Sequence, residues 1–60
     1  MKPEYYISIL HPQFIYSVDH TNQTVTSMKF GYTLIYADFM ISVPDYFIQM
    51  TEEEIFLWKI

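Results

Sequence analysis

The sequence contains no cysteine, so the fold has no disulfide to restrict its unfolded state and none of the thiolates that most structural zinc sites use. His11 and His20 are its only histidines, too few to make such a site by themselves. A chain of 60 residues buries only about 60% of the surface its unfolded form exposes, which leaves burial and conformational entropy near balance. Apolar side chains must supply the stability, and twelve residues are Phe, Tyr or Trp. That is more aromatic surface than one small core can hide, and the surplus points to an interface. Residues 1–60 leave room for one domain and not for two.

Charge narrows the partners. Seven Asp and Glu against three Lys give a net charge of −4, and no arginine is present. Lys2, Lys29 and Lys59 are too few to displace counterions from a phosphate backbone, so no direct nucleic-acid binding is expected. The longest weakly polar run, Phe30 to Val43, contains Asp38 and falls short of the roughly 20 residues of a membrane span. The apolar run Tyr5 to Leu10 stops at His11-Pro12, too early for the core of a signal peptide. The expectation is a soluble protein of the cytoplasm (of the host cell, if the source is viral) that does not act at a membrane. Few lysines also disfavour a peripheral role on anionic lipid.

Along the chain, Tyr5 to Leu10 reads as a first strand with Tyr5, Ile7 and Ile9 on one face. Pro12 has no donor for the ladder and ends it. Phe14 to Val18 resumes extended character, Asp19 to Asn22 is a turn cluster, and Thr24 to Phe30 completes an antiparallel hairpin. Gly31, the only glycine, stands where a turn needs positive φ. From Tyr32 to Val43, Thr33, Ile35, Ala37, Phe39, Ile41 and Val43 alternate with Tyr32, Leu34, Tyr36, Asp38, Met40 and Ser42. This predicts a central strand, with a buried helix as the rival reading. Pro44-Asp45 marks a turn, and Tyr46 to Met50 reads as a short strand or the start of a helix. Thr51 with Glu54 three residues on makes a capping box ahead of Ile55, Phe56, Leu57 and Trp58. A C-terminal helix of about two turns follows, to be packed down through Ile55 and Trp58.

Catalytic equipment is sparse. Ser8, Ser17, Ser27 and Ser42 with His11 or His20 lack any framing motif, and one glycine cannot build a phosphate loop. His11, His20, Asp19 and Asp45 have no metal-ligand spacing. Asp38 with Glu4 or Asp45 would make a carboxylate pair only if the fold joined them; the plainer reading exposes Asp38 or pairs it with Lys29. The methionines Met1, Met28, Met40 and Met50 read as gap-fillers, with Met40 alone at an interface.

The expected architecture is therefore α+β, a small antiparallel sheet of about four strands with a short C-terminal helix, doubled into a homodimer through Tyr32, Leu34, Tyr36 and Met40. No catalytic, cofactor or metal role is expected. Asp45, Tyr46, Glu52, Glu53, Glu54 and Trp58 are the expected contacts for a larger partner with a basic surface, the charges governing rate and selectivity and the aromatics affinity. In size and composition alone, the chain looks like the short inhibitors that phages encode against host enzymes or defence systems. The reading is a non-enzymatic, stoichiometric protein-binding inhibitor; its alternative is an accessory or structural subunit that folds stably only within a larger complex.

Overall fold

Alternating apolar residues build three strands close to where the sequence places them, the first ending two residues and the third three residues short of the expected bounds. In the computed structural model of the protein, which describes residues 3–59, β1 spans Glu4–Ser8, β2 Ile15–Asp19 and β3 Thr24–Ser27. β1 pairs antiparallel with β2, Tyr6 opposite Tyr16, and β2 with β3, Val18 opposite Val25. In the β2–β3 turn, Asp19 Oδ1 accepts the N–H groups of Thr21 at 2.9 Å and Asn22 at 3.2 Å, the local bonding that favours Asp in turns. Beyond β3, Gly31 takes φ +78° and donates its N–H to the Ser27 carbonyl at 3.0 Å. Other residues adopt that backbone only with strain.

Past Leu34 the period of two gives way. Thr33–Leu34 forms a two-residue β4 on the edge of β3, and Tyr36–Tyr46 is a helix, α1. The central strand expected over Tyr32 to Val43 is thus corrected to the rival helical reading. The same residues also carry a helical repeat: Tyr36, Phe39, Met40 and Val43, at i, i+3, i+4 and i+7, all meet the core. Ala37, Asp38, Ile41, Pro44 and Asp45 lie exposed on the outer side. A further strand could only extend the sheet edge, whereas a helix lies across the apolar face and covers it, so tertiary burial overrides β-propensity. Pro44 sits inside the last turn, two residues before the helix ends.

Of Tyr46 to Met50, Tyr46 ends α1 and Phe47–Gln49 forms a strand, β5, which pairs antiparallel with β1, Ile7 opposite Ile48. The sheet therefore has five strands rather than four, in the order β4-β3-β2-β1-β5, and α1 carries the chain from one edge to the other. Val18 and Val25 are fully buried beneath α1 with Tyr6, Tyr16 and Phe39. The Phe39 ring lies 5.7 Å from those of Tyr6 and Tyr16 and 4.6 Å from that of Phe47.

The opposite face carries Tyr5, Ile7 and Ile15 under a second helix, α2, Glu52–Lys59. Its capping box forms as expected: Thr51 donates its N–H to Glu54 Oε1 at 2.9 Å, and Glu54 donates its N–H to Thr51 Oγ1 at 3.2 Å. Yet no residue of α2 is buried. Ile55 is half-buried, and the exposed Trp58 meets the Tyr5 ring at 6.4 Å. Met50 fills the space beneath α2, Met40 packs on the core from α1, and Met28 is exposed; Met1 and Lys2 lie outside the described residues. Among the described residues, no helix is long and apolar enough to cross a membrane.

Candidate partner-binding surface

A helix of eight residues containing Phe56, Leu57 and Trp58 in succession cannot turn all three toward one sheet, because they span about 200° of its circumference. The structure shows the result. Phe56 is 66% and Leu57 62% exposed, and α2 stands between two open clefts. The first, about 560 Å³, lies against the β1–β5 side, with Tyr5, Met50, Ile55 and Phe56 among its walls and Glu52 and Lys59 as charged residues of its lining. The second, about 610 Å³, is walled by Ile7, Ile15, Leu57 and Trp58, with Lys29 and Glu54 beside them. Apolar floors rimmed by a few charged groups are the usual make-up of binding surfaces.

Of the residues expected to meet a partner, Glu52, Glu53, Glu54 and Trp58 share α2. Thr51, through its N–H and hydroxyl, holds the Glu54 carboxyl below its usual value. Asp45 and Tyr46 lie elsewhere: Tyr46 is beside Ile9 at one end of β5, whereas Met50, leading into α2, is beside Tyr5 at the other. The expected self-association face divides as well. Tyr36 and Met40 are half-buried against the core, while Tyr32 and Leu34 are exposed at the β4 edge, flanked by the exposed Phe30 and Ile35. Tyr5, Met50, Phe56 and Leu57 were not singled out by sequence reasoning. The four consecutive apolar residues Ile55 to Trp58 in so short a helix are the available signal.

One polar cluster joins three elements. Tyr6 Oη donates to Glu4 Oε1 at 2.9 Å, His20 Nε2 lies 2.7 Å from the same oxygen, and His20 Nδ1 lies 2.6 Å from Tyr36 Oη. In a neutral imidazole protonated at Nε2, Glu4 accepts from the ring and Nδ1 accepts from the Tyr36 hydroxyl. The hydrogen bonds from His20 and Tyr6 hold the Glu4 carboxyl below its usual value, outweighing partial burial. Burial, then the Glu4 carboxylate, pushes the Tyr6 phenol up to about 12. The order carboxylate, imidazole, hydroxyl matches a nucleophilic relay, but Tyr36 lies outside the clefts that flank α2. What the cluster does is tie β1, the β2–β3 turn and the start of α1 together. His11 stacks edge-on with Phe14 at 5.9 Å, Asp38 is exposed in the first turn of α1, and Lys29 lies 5.6 Å from the Phe30 ring. Among the described residues, no group of three or more His, Asp or Glu is placed to hold a metal ion.

The chain matches no known protein family, no curated protein and no solved structure, so its functional reading rests on this geometry.

Proposed function

We propose that the protein is a non-enzymatic binding protein that acts stoichiometrically by covering a larger protein with a basic surface, in the manner of the short inhibitors that phages encode against host enzymes or defence systems. The observation that carries this reading is α2: carboxylates at its first turn, large apolar side chains exposed at its end, and an apolar-floored cleft on either side. Aromatic and aliphatic anchors in such clefts dominate affinity, while the carboxylates select a basic partner and speed encounter. Self-association belongs to the same proposal. It would use Tyr32 and Leu34 with Phe30 and Ile35 at the β4 edge, because Tyr36 and Met40 already pack inward. Light scattering over a hundredfold concentration range tests it, a concentration-independent monomer removing the dimer.

The test of the main reading is recovery of a partner from cells with wild-type protein and with two variants, Phe56→Ser/Leu57→Ser and Glu53→Lys. A single protein lost with both variants, and complexed at fixed stoichiometry with purified chain, supports the reading. Recovery indifferent to both, or turnover of the partner by substoichiometric amounts of this protein, refutes it. A second reading, an accessory subunit of a larger assembly, is favoured by the absence of any buried residue in α2, which leaves that helix to complete its packing on another chain. Cooperative unfolding of the isolated protein, α2 included, would count against this alternative.

A further inference from the structure

The sheet face that α2 covers is better buried than α2 itself. Ile15 and Met50 are 5% and 8% exposed, whereas α2 has no buried residue and only Ile55 is half-buried. The far end of the helix rests on one side chain: the Tyr5 ring lies 6.4 Å from the Trp58 ring and 5.1 Å from Lys59 Nζ. The near end follows Met50, whose N–H donates to the Tyr5 carbonyl at 2.8 Å and extends the pairing of β5 with β1. We propose that residues 51–59 form a strap that opens and closes over this face while the five-stranded sheet and α1 stay folded, with Thr51 as the hinge and the Tyr5 ring as the latch. The strap is a property of the chain alone and does not depend on its being a protein binder.

The core of Tyr6, Tyr16, Val18, Val25 and Phe39 lies on the opposite face, beneath α1, so opening withdraws no residue from it. The capping bonds run between Thr51 and Glu54; they hold the first turn of α2 together rather than fastening it to the sheet. At eight residues, α2 is shorter than the roughly 12–15 that a helix needs to persist alone in water. Leaving the sheet therefore unwinds it, and the segment has two discrete states, docked helix and open coil. An exposed cation–π contact and an aromatic pair each shift such an equilibrium by a factor of about two to ten, so one ring that makes both contacts governs how often the strap is open. Opening uncovers Tyr5, Ile7, Ile15 and Met50, an apolar strip that runs across β1 and β2 to the end of β5. When closed, α2 covers in cis a surface that another chain would otherwise meet.

Trp58 is the only tryptophan, so its fluorescence reports directly on the strap. The test is a urea titration of the isotopically labelled full chain, following Trp58 emission alongside the amide resonances of Val18 and Val25. The expected result is two transitions, with Trp58 reaching solvent-exposed emission at lower urea than the loss of the folded Val18 and Val25 resonances. Tyr5→Leu should raise the opening constant roughly tenfold and move the first transition to lower urea. The second should stay in place, because the strap is already open when the sheet unfolds. Lys59→Gln leaves the sheet untouched, so it decides the matter should Tyr5→Leu fail to fold; it should raise the opening constant about two- to fivefold. Lys29→Gln makes the same change in net charge on the other side of α2 and should leave opening unchanged. Coincident transitions in the wild type would make α2 part of the cooperative fold and overturn the proposal. Trp58 emission that already matches the unfolded chain in water would remove the closed state and overturn it too. Equal shifts from the two lysine variants, or none from Tyr5→Leu and Lys59→Gln, would overturn the assignment of Tyr5 as the latch.

Discussion

Phe39 and Ile41 separate the helical account of α1 from the strand account with one pair of substitutions. Two residues apart, they would share a face of any strand, and alanine at either would then be similarly damaging. In the helix they point about 200° apart: Phe39 is 3% exposed among Tyr6, Tyr16 and Phe47, while Ile41 is 77% exposed. Phe39→Ala should cost about 3–5 kcal/mol, the range for deleting a buried phenyl ring. A chain of this length has about 3–9 kcal/mol of stability in total at ordinary values per residue, so the variant should lose most or all of its cooperative fold. Ile41→Ala should fall within about 0.5 kcal/mol of wild type. It should lean toward stabilisation, because alanine is the better helix former. Urea unfolding followed by far-ultraviolet circular dichroism measures both, with trimethylamine oxide added to all samples so that the weaker variant retains a folded baseline. Comparable losses at the two sites, or a Phe39→Ala loss below about 1 kcal/mol, would refute the packing of α1 described above.

Three further outcomes follow from named groups. Glu4 has a lowered carboxyl pKa relative to its unperturbed 4.5, so its stabilising contribution is present above that value and lost as pH falls through the lower folded value; the gap between the urea midpoints of wild type and Glu4→Gln should be constant above 4.5 and shrink progressively as pH falls below it. Tyr6 and Tyr16 are pushed up to about 12, chiefly by burial and then by Glu4 and Tyr32 respectively. Their contribution is whole below pH 10 and lost as pH rises toward 12, so tyrosinate absorbance should show two late phenols that titrate with unfolding, one of them absent in Tyr6→Phe. Thr51→Ala should destabilise α2 by about 1 kcal/mol. Because no residue of that helix is fully buried, the loss should appear as faster amide exchange in residues 55–58 with little change in the global midpoint.

The parts of the fold readable from sequence were those set by local chemistry. Asp19 and Asn22 fixed the hairpin turn, Gly31 the positive φ, and Thr51 with Glu54 the start of α2. Over 32–43 the residues satisfy two periodicities at once, and the choice between them lies in what covers Tyr6, Tyr16, Val18 and Val25, a question no local window contains. The same holds for the surface. Exposed carboxylates and Trp58 were visible as residue types, but the separation of Tyr46 from α2 follows from β5 pairing with β1. The cluster of Glu4, His20 and Tyr36 joins residues far apart in the chain and left no spacing to recognise.

The position of β5 has a kinetic meaning. β1 to β3 can zip together through neighbouring hairpins, but β5 must find β1 from the far end of the chain, residue 49 beside residue 6. That closure carries the largest loop entropy in the fold. Until it happens, α1 has no strand at its far end to anchor it. The aromatic underside of the growing sheet is then open to other chains, so this protein is most exposed to misassociation before β5 arrives and α1 is pinned at both ends.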